Sequence, residues 1–156
     1  MNQLRRAFLK NAGAIGTVAI AIASGLLKPV SAFAAAWNNM AFTSKDLADA
    51  IKNAGYDGAT ENSDVILKAP DIAENGAVVP ITASSNIPGT TSIAIFVEKN
   101  PSPMVADYTF SNGAQPYIST RIKMAKTSNV WITVKAGGKN YSTKREVKVT
   151  IGGCGG

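Results

Sequence analysis

Val130-Trp131-Ile132-Thr133-Val134-Lys135-Ala136 decides the fold. Successive side chains of an extended chain point to opposite faces, so Val130, Ile132, Val134 and Ala136 share one face and Trp131, Thr133 and Lys135 the other. Gly137-Gly138 follows, a turn signal, and the alternation resumes in Tyr141 to Ile151, where Val147, Val149 and Ile151 alternate with Lys148 and Thr150. Working outward, the same period of two appears in Tyr117 to Met124, with Ile118, Ile122 and Met124 on one side and Ser119, Arg121 and Lys123 on the other. Val65 to Lys68, Val78 to Ala83, Ser92 to Lys99 and Val105 to Phe110 complete seven expected strands, each with one wet face.

Between them stand Asn75-Gly76, Pro88-Gly89, Asn100-Pro101-Ser102-Pro103 and Asn112-Gly113, all turn chemistry. Short alternating strands with tight turns predict a mainly β chain, an antiparallel two-sheet sandwich of immunoglobulin-like type; strand order and a small barrel stay open at this point. Pro80 cannot donate to a ladder and predicts an edge or bulge position. Ahead of the strands, Thr43 to Ala54 predicts one short helix: Thr43 and Asp46 have capping-box spacing, Leu47, Ile51 and Ala54 recur on one face, and Gly55 stops it. A helix this short needs a surface to pack on, and the sandwich is the surface available.

The first 34 residues read as an address. Arg5, Arg6 and Lys10 precede an apolar run from Ala12 to Leu27, and Ala32-Phe33-Ala34 supplies a small-x-small cleavage site. Arg5-Arg6-Ala7-Phe8-Leu9-Lys10 looks like a twin-arginine export signature, with Leu4 where Ser or Thr is usual. The expected organisation is therefore a signal peptide over 1–34, a sandwich with its N-terminal helix over 35–151, and a tail over 152–156. The mature chain is expected in the periplasm, without a membrane span. Because that route carries folded cargo and no cofactor motif is visible, export in complex with a partner is expected.

Composition excludes more chemistry than it suggests. The 156 residues hold no histidine, which removes imidazole bases and His ligands. A single cysteine excludes intrachain disulfides, zinc ribbons and iron–sulfur clusters. The net charge of +6 gives no case for nucleic acid: Arg5, Arg6, Lys10 and Lys28 sit in the leader, leaving twelve basic against ten acidic residues. The acids Asp46, Asp49, Asp57, Glu61, Asp64, Asp71 and Glu74 read as caps and solvated faces, so no metal set is expected. Arg121, Lys123 and Lys126 form a candidate basic patch, and Trp131 is either a partner contact or the seat of the helix.

That leaves Gly152-Gly153-Cys154-Gly155-Gly156. Glycine costs the most entropy to order, so the segment reads as a mobile arm holding a thiol about 10 Å beyond the last strand. A free thiol has a pKa of about 8.5, and the nearest cation in sequence, Lys148, gives it no local activation. An unactivated thiol on a glycine arm suits delivery to another protein's active site rather than catalysis.

Val147-Lys148-Val149-Thr150-Ile151-Gly152-Gly153-Cys154-Gly155-Gly156 resembles the C-terminal signature of the SoxY family, covalent sulfur carriers of the periplasmic thiosulfate-oxidising (Sox) system. Ala73-Glu74-Asn75-Gly76-Ala77-Val78-Val79-Pro80, Asn100-Pro101 and Thr120-Arg121-Ile122 resemble further segments of that family. The resemblance implies a non-enzymatic carrier without a cofactor, with substrate attached covalently to Cys154 and with Gly152, Gly153, Gly155 and Gly156 as its flexible arm. It also implies a heterodimer with a SoxZ-like subunit, a haem-containing sulfur-coupling enzyme, a sulfate-releasing hydrolase and, in complete systems, a sulfane dehydrogenase. Two other readings compete. One is a structural or adhesive periplasmic module with an intermolecular disulfide through Cys154. The other is a ubiquitin-like carrier acting through its terminal carboxyl, against which the leader and the cysteine both weigh.

Overall fold

The structure is a computed structural model, and it describes residues 37–151. The chain divides into two units, residues 1–37 and 38–156; the first falls outside the described residues except for Trp37. The expected signal peptide over 1–34 and the arm over 152–156 both lie outside them.

Nine strands follow two short helices: α1 (Asn39–Thr43), α2 (Leu47–Asn53), β1 (Thr60–Glu61), β2 (Val65–Lys68), β3 (Ile72–Ala73), β4 (Val79–Ser85), β5 (Thr90–Val97), β6 (Met104–Thr109), β7 (Tyr117–Ile122), β8 (Ser128–Ala136) and β9 (Lys139–Val149). They form an immunoglobulin-like sandwich. One sheet runs β1-β9-β8-β5-β6 with β3 also on β9, and the other runs β2-β4-β7. All seven expected strands are present, with ends shifted by up to two residues. The alternating stretch Val130 to Ala136 lies in β8 at the centre of the larger sheet, between β5 and β9.

Gly137 and Gly138, at φ +56 and +74, turn β8 into β9 with Ala136 paired to Lys139. A two-residue hairpin loop of this kind needs positive φ at both positions, which glycine adopts without penalty. Val130, Ile132 and Val134 then point inward with Ile93, Ile95, Val97 and Val147, meeting Val79, Ile81, Ala83 and Ile118 of the smaller sheet. This burial is the main source of stability, at about 25 cal/mol for each Å² of apolar surface removed from water.

Two expectations about the strands are corrected. The expected antiparallel pairing holds except at β1 and β3, two-residue strands that pair parallel to β9. The chain passes along the outer edge of β9 twice, crossing to the other sheet as β2 between passes. The expected wet face is also absent from β5, which is buried from Ser92 to Val97. Its inner residues face the sandwich core, while Ala94 and Phe96 pack with Ala41, Ala50, Ala54 and Tyr56 of the helical layer. The unbroken run Ile93-Ala94-Ile95-Phe96-Val97 is the sequence trace of a strand covered on both faces.

Pro80 sits in the central strand of its sheet rather than an edge strand, but β2 ends at Lys68 opposite Thr82. At Pro80, therefore, β4 has a strand partner on one side only, opposite Arg121, and the missing N–H is tolerated.

The helix expected over Thr43 to Ala54 starts only at Leu47, and a separate helix, α1, precedes it and ends at Thr43. Ser44 has ψ 141, which breaks the chain direction, and Asp46 rather than Thr43 caps α2. Its carboxylate accepts from the amides of Ala48 (2.7 Å) and Asp49 (3.4 Å). Thr43 instead donates its hydroxyl to the Asn39 carbonyl at 2.8 Å. A carboxylate cap also answers the positive helix end, which a hydroxyl does less well. Gly55 stops the helix as expected, at φ +74. Lys135 Nζ donates to the Ala54 carbonyl at 3.1 Å and lies 4.1 Å from the centre of the Tyr56 ring, fastening the helical layer to β8.

Candidate functional site

The last strand is the longest, and its end is held by two other segments of the chain. The Val149 amide donates to Thr127 Oγ1 at 2.9 Å. The Thr150 amide donates to the Ala73 carbonyl at 3.1 Å, and the Thr150 hydroxyl to the Glu74 carbonyl at 2.9 Å. The Ile151 carbonyl accepts from the Gly76 amide at 2.7 Å, and Gly76 in turn accepts from the Met124 amide at 2.7 Å. β9 is thus tied to the Ala73–Gly76 segment and, through it, to the loop after β7.

Each clamp has a local cause. Asn75 folds its carboxamide over the next turn, Oδ1 accepting from the Ala77 amide at 2.8 Å, which presents the Gly76 amide to Ile151. Asn100 holds the far loop: its side chain donates to the Lys123 carbonyl and accepts from the Ala125 amide, both at 2.8 Å. The stretches Ala73 to Pro80, Asn100-Pro101 and Thr120 to Ile122 are far apart in sequence. The first contributes the clamp, the second braces the loop that follows the third, and together they hold the end of β9 up to Ile151, the last described residue.

Cys154, Gly152, Gly153, Gly155 and Gly156 lie outside the described residues. The structure shows what surrounds Ile151, the last described residue. Folding brings Met124 and Thr127 to the segments that hold the end of β9, and their neighbours Lys123 and Lys126 are exposed. Asp71 is held by Arg145, with NH2 2.6 Å from Oδ1, and that guanidinium keeps the Asp71 carboxyl below the usual carboxylate range. Sequence spacing already grouped Lys123 with Lys126; the link of their loop to the end of β9 rests on hydrogen bonds between distant segments, which no local signal reveals. Arg121 of the expected patch is exposed on β7 opposite Pro80.

Trp131 belongs to the helical layer. It packs with the cluster that includes Ile51 and Phe96, and Lys144 Nζ lies 4.6 Å from the centre of its ring. With Ala48, Ile51, Tyr56 and Thr133 it lines a cleft of about 320 Å³. Among the described residues, no three of His, Cys, Asp and Glu are grouped so as to hold a metal ion. The expected acids are dispersed instead: Asp46 caps a helix and Asp71 pairs with Arg145. No helix of the described residues is long and apolar enough to cross a membrane.

A family model and one solved structure agree on the same family. A family model described as "Sulfur oxidation protein SoxY" matches residues 52–154. Among solved structures, the sulfur carrier protein SoxY from Chlorobium limicola f thiosulfatophilum is 46% identical, covering 72% of this chain and 99% of its own, with a TM-score of 0.61. A chain from a structure of T-cell activation by the bacterial superantigen toxic shock syndrome toxin-1 is 15% identical over 55% of this chain and 98% of its own, at a TM-score of 0.39. Comparison with curated proteins found no match.

Proposed function

The chain belongs to the SoxY family, and from that premise we propose that it is a covalent carrier of sulfur intermediates in thiosulfate oxidation, loaded on Cys154. As a member of that family it is a sulfur carrier and not an enzyme. The observation that carries the finer reading is the clamp on Ile151, beyond which lie three residues ending at the only thiol in the chain. A rigid body that fixes the exit of a glycine-flanked cysteine is what a carrier needs.

The chemistry follows the family's. Thiosulfate forms an S–S bond with the Cys154 sulfur, the thiol gives up its proton, and the two electrons released pass to a haem-containing coupling enzyme. Water then attacks the terminal sulfonyl sulfur in a hydrolase, releasing sulfate and leaving the sulfane sulfur on Cys154 as a persulfide. In complete systems a sulfane dehydrogenase oxidises what remains. The carrier contributes the nucleophile and its delivery; the haem belongs to its partner. Export by the twin-arginine route to the periplasm and pairing with a SoxZ-like subunit complete the proposal, supported by the leader and by family membership.

Mass spectrometry of the C-terminal peptide tests this. Incubation with thiosulfate and the haem enzyme of the same system should yield a thiosulfonate adduct on Cys154 that depends on both. A stable peptide–peptide disulfide as the sole modification would instead establish the structural reading.

A further inference from the structure

Asn75-Gly76 and Asn112-Gly113 are the two Asn-Gly pairs of the chain, and the fold treats them in opposite ways. In such a pair the glycine amide nitrogen is able to attack the asparagine side-chain carbon Cγ, because glycine puts no side chain in its path. The carboxamide C–N bond breaks, ammonia leaves with the amide proton, and a cyclic imide closes. Water then opens the imide at either of its carbonyls, leaving aspartate or isoaspartate. No electrons are exchanged; water is consumed and ammonia is released. From the protein the reaction needs an unengaged glycine amide, an unengaged carboxamide and a backbone free to rotate between them.

At Asn75 none of these is available. Gly76 is buried; its amide donates to the Ile151 carbonyl and its carbonyl accepts from the Met124 amide, both at 2.7 Å. Asn75 Oδ1 accepts from the Ala77 amide at 2.8 Å, and the Asn75 carbonyl from the Val78 amide at 3.3 Å. Asn112 is the reverse. The segment from Ser111 to Gln115 is exposed, and its turn is closed by the Ala114 amide donating to the Ser111 carbonyl at 3.0 Å. Among the described residues, neither the Gly113 amide nor the Asn112 carboxamide has a hydrogen-bond partner. Asn112 is also the one non-glycine residue among them at positive φ, +54, a region that costs L-residues energy. A Cβ built on Gly113 meets nothing within 4 Å, so the surroundings leave room for the imide and for water.

We propose that Asn112 is a site of spontaneous conversion to aspartate and isoaspartate, and that the contact between Gly76 and Ile151 protects Asn75 from the same reaction. Attack at Asn75 requires the buried Gly76 amide to leave Ile151. Breaking one buried hydrogen bond lowers the population open to attack about tenfold. Conversion at Asn112 adds a carboxylate to an exposed turn and, in the isoaspartyl form, one atom to its backbone. The hydrogen bonds that hold the end of β9 thus have a chemical role besides their mechanical one.

The test is incubation of the full-length chain in mildly alkaline buffer, with the peptides around Asn75 and Asn112 followed by mass spectrometry. Isoaspartate is identified by enzymatic methylation of its free α-carboxyl group. In the folded protein Asn112 should convert at least about tenfold faster than Asn75. In concentrated guanidinium chloride the two rates should converge, because the protection at Asn75 comes from the fold. Gly113→Ala, which adds a methyl group beside the attacking nitrogen, should slow conversion at Asn112 and leave Asn75 as it was. Equal rates at the two sites in the folded chain overturn the proposal. A gap that persists in denaturant overturns the protective role of the Gly76 contact, and an Asn112 rate indifferent to Gly113→Ala overturns the imide route.

Discussion

The hydroxyl of Tyr56 donates to Oδ1 of Asp107 at 2.7 Å, joining the end of the helical layer to edge strand β6. The same hydroxyl lies 2.8 Å from Ser92 Oγ on β5, and the Tyr56 ring meets Phe96 edge-on with centroids 6.4 Å apart. Tyr56 is fully buried. It therefore ties two neighbouring strands and the helices together from the outer face of the sheet.

Tyr56→Phe keeps the ring and removes the hydrogen bonds, leaving the buried Ser92 hydroxyl without this partner. The expected loss is about 1 kcal/mol near neutral pH, read by urea unfolding. Burial pushes the Tyr56 hydroxyl's pKa well above its ordinary value. The unfolded chain ionises this group near pH 10, so the stability it contributes is full below that pH and falls as pH rises beyond it. The gap between native and variant proteins should therefore narrow on going from neutral pH to about pH 11. A gap that widens in alkali would be incompatible with a neutral buried phenol.

Asp71 gives the opposite dependence. Arg145 lowers its pKa in the folded state, so its contribution is present above the unfolded value of about 3.9 and is lost as pH falls through the folded one. Asp71 is largely and Arg145 partly solvated, so the effect is small. Thermal melts of Asp71→Asn should lie slightly below those of the native chain at neutral pH and coincide with them near pH 2. A difference that persists unchanged in acid would assign the effect to something other than this ion pair.

Thr133 is a buried polar residue on the outer face of β8, 1% exposed, and its Oγ1 has no hydrogen-bond partner among the described residues. A buried hydroxyl left unpaired costs about 1–3 kcal/mol, and valine has nearly the same shape. Thr133→Val should therefore stabilise the domain by about 1 kcal/mol, seen as a higher denaturant midpoint with an unchanged m value. A lowered midpoint would show that the hydroxyl is satisfied in solution.

Cys154→Ser should leave the melting temperature unchanged and abolish sulfur loading, since serine is no sulfur nucleophile. Thiosulfate-dependent sulfate production that survives this change would refute the assignment. Gly153→Val with Gly155→Val should slow delivery to partners far more than it affects stability, because β-branched side chains add bulk and restrict the backbone. Partner turnover at the native rate would remove the need for a slender arm.

The amino-acid sequence by itself determined what is local. Alternation in Val130 to Ala136 and Val147 to Ile151 marked strands, Gly137-Gly138 marked the hairpin and Gly55 the helix stop, because each depends on neighbours a few residues away. The lone thiol in Gly152-Gly153-Cys154-Gly155-Gly156 was legible for the same reason, by composition. The tertiary structure alone decided what depends on distant contacts. It placed Asp46 rather than Thr43 at the start of α2, and it covered β5 on both faces. It tied Gly76 to both Ile151 and Met124, and Thr127 to Val149. Period and turn chemistry say that a strand exists and which face is apolar; pairing partners are chosen by burial summed over the whole chain. The partners of the β9 end come from the Ala73–Gly76 segment and the loop after β7, and neither carries a trace of the other.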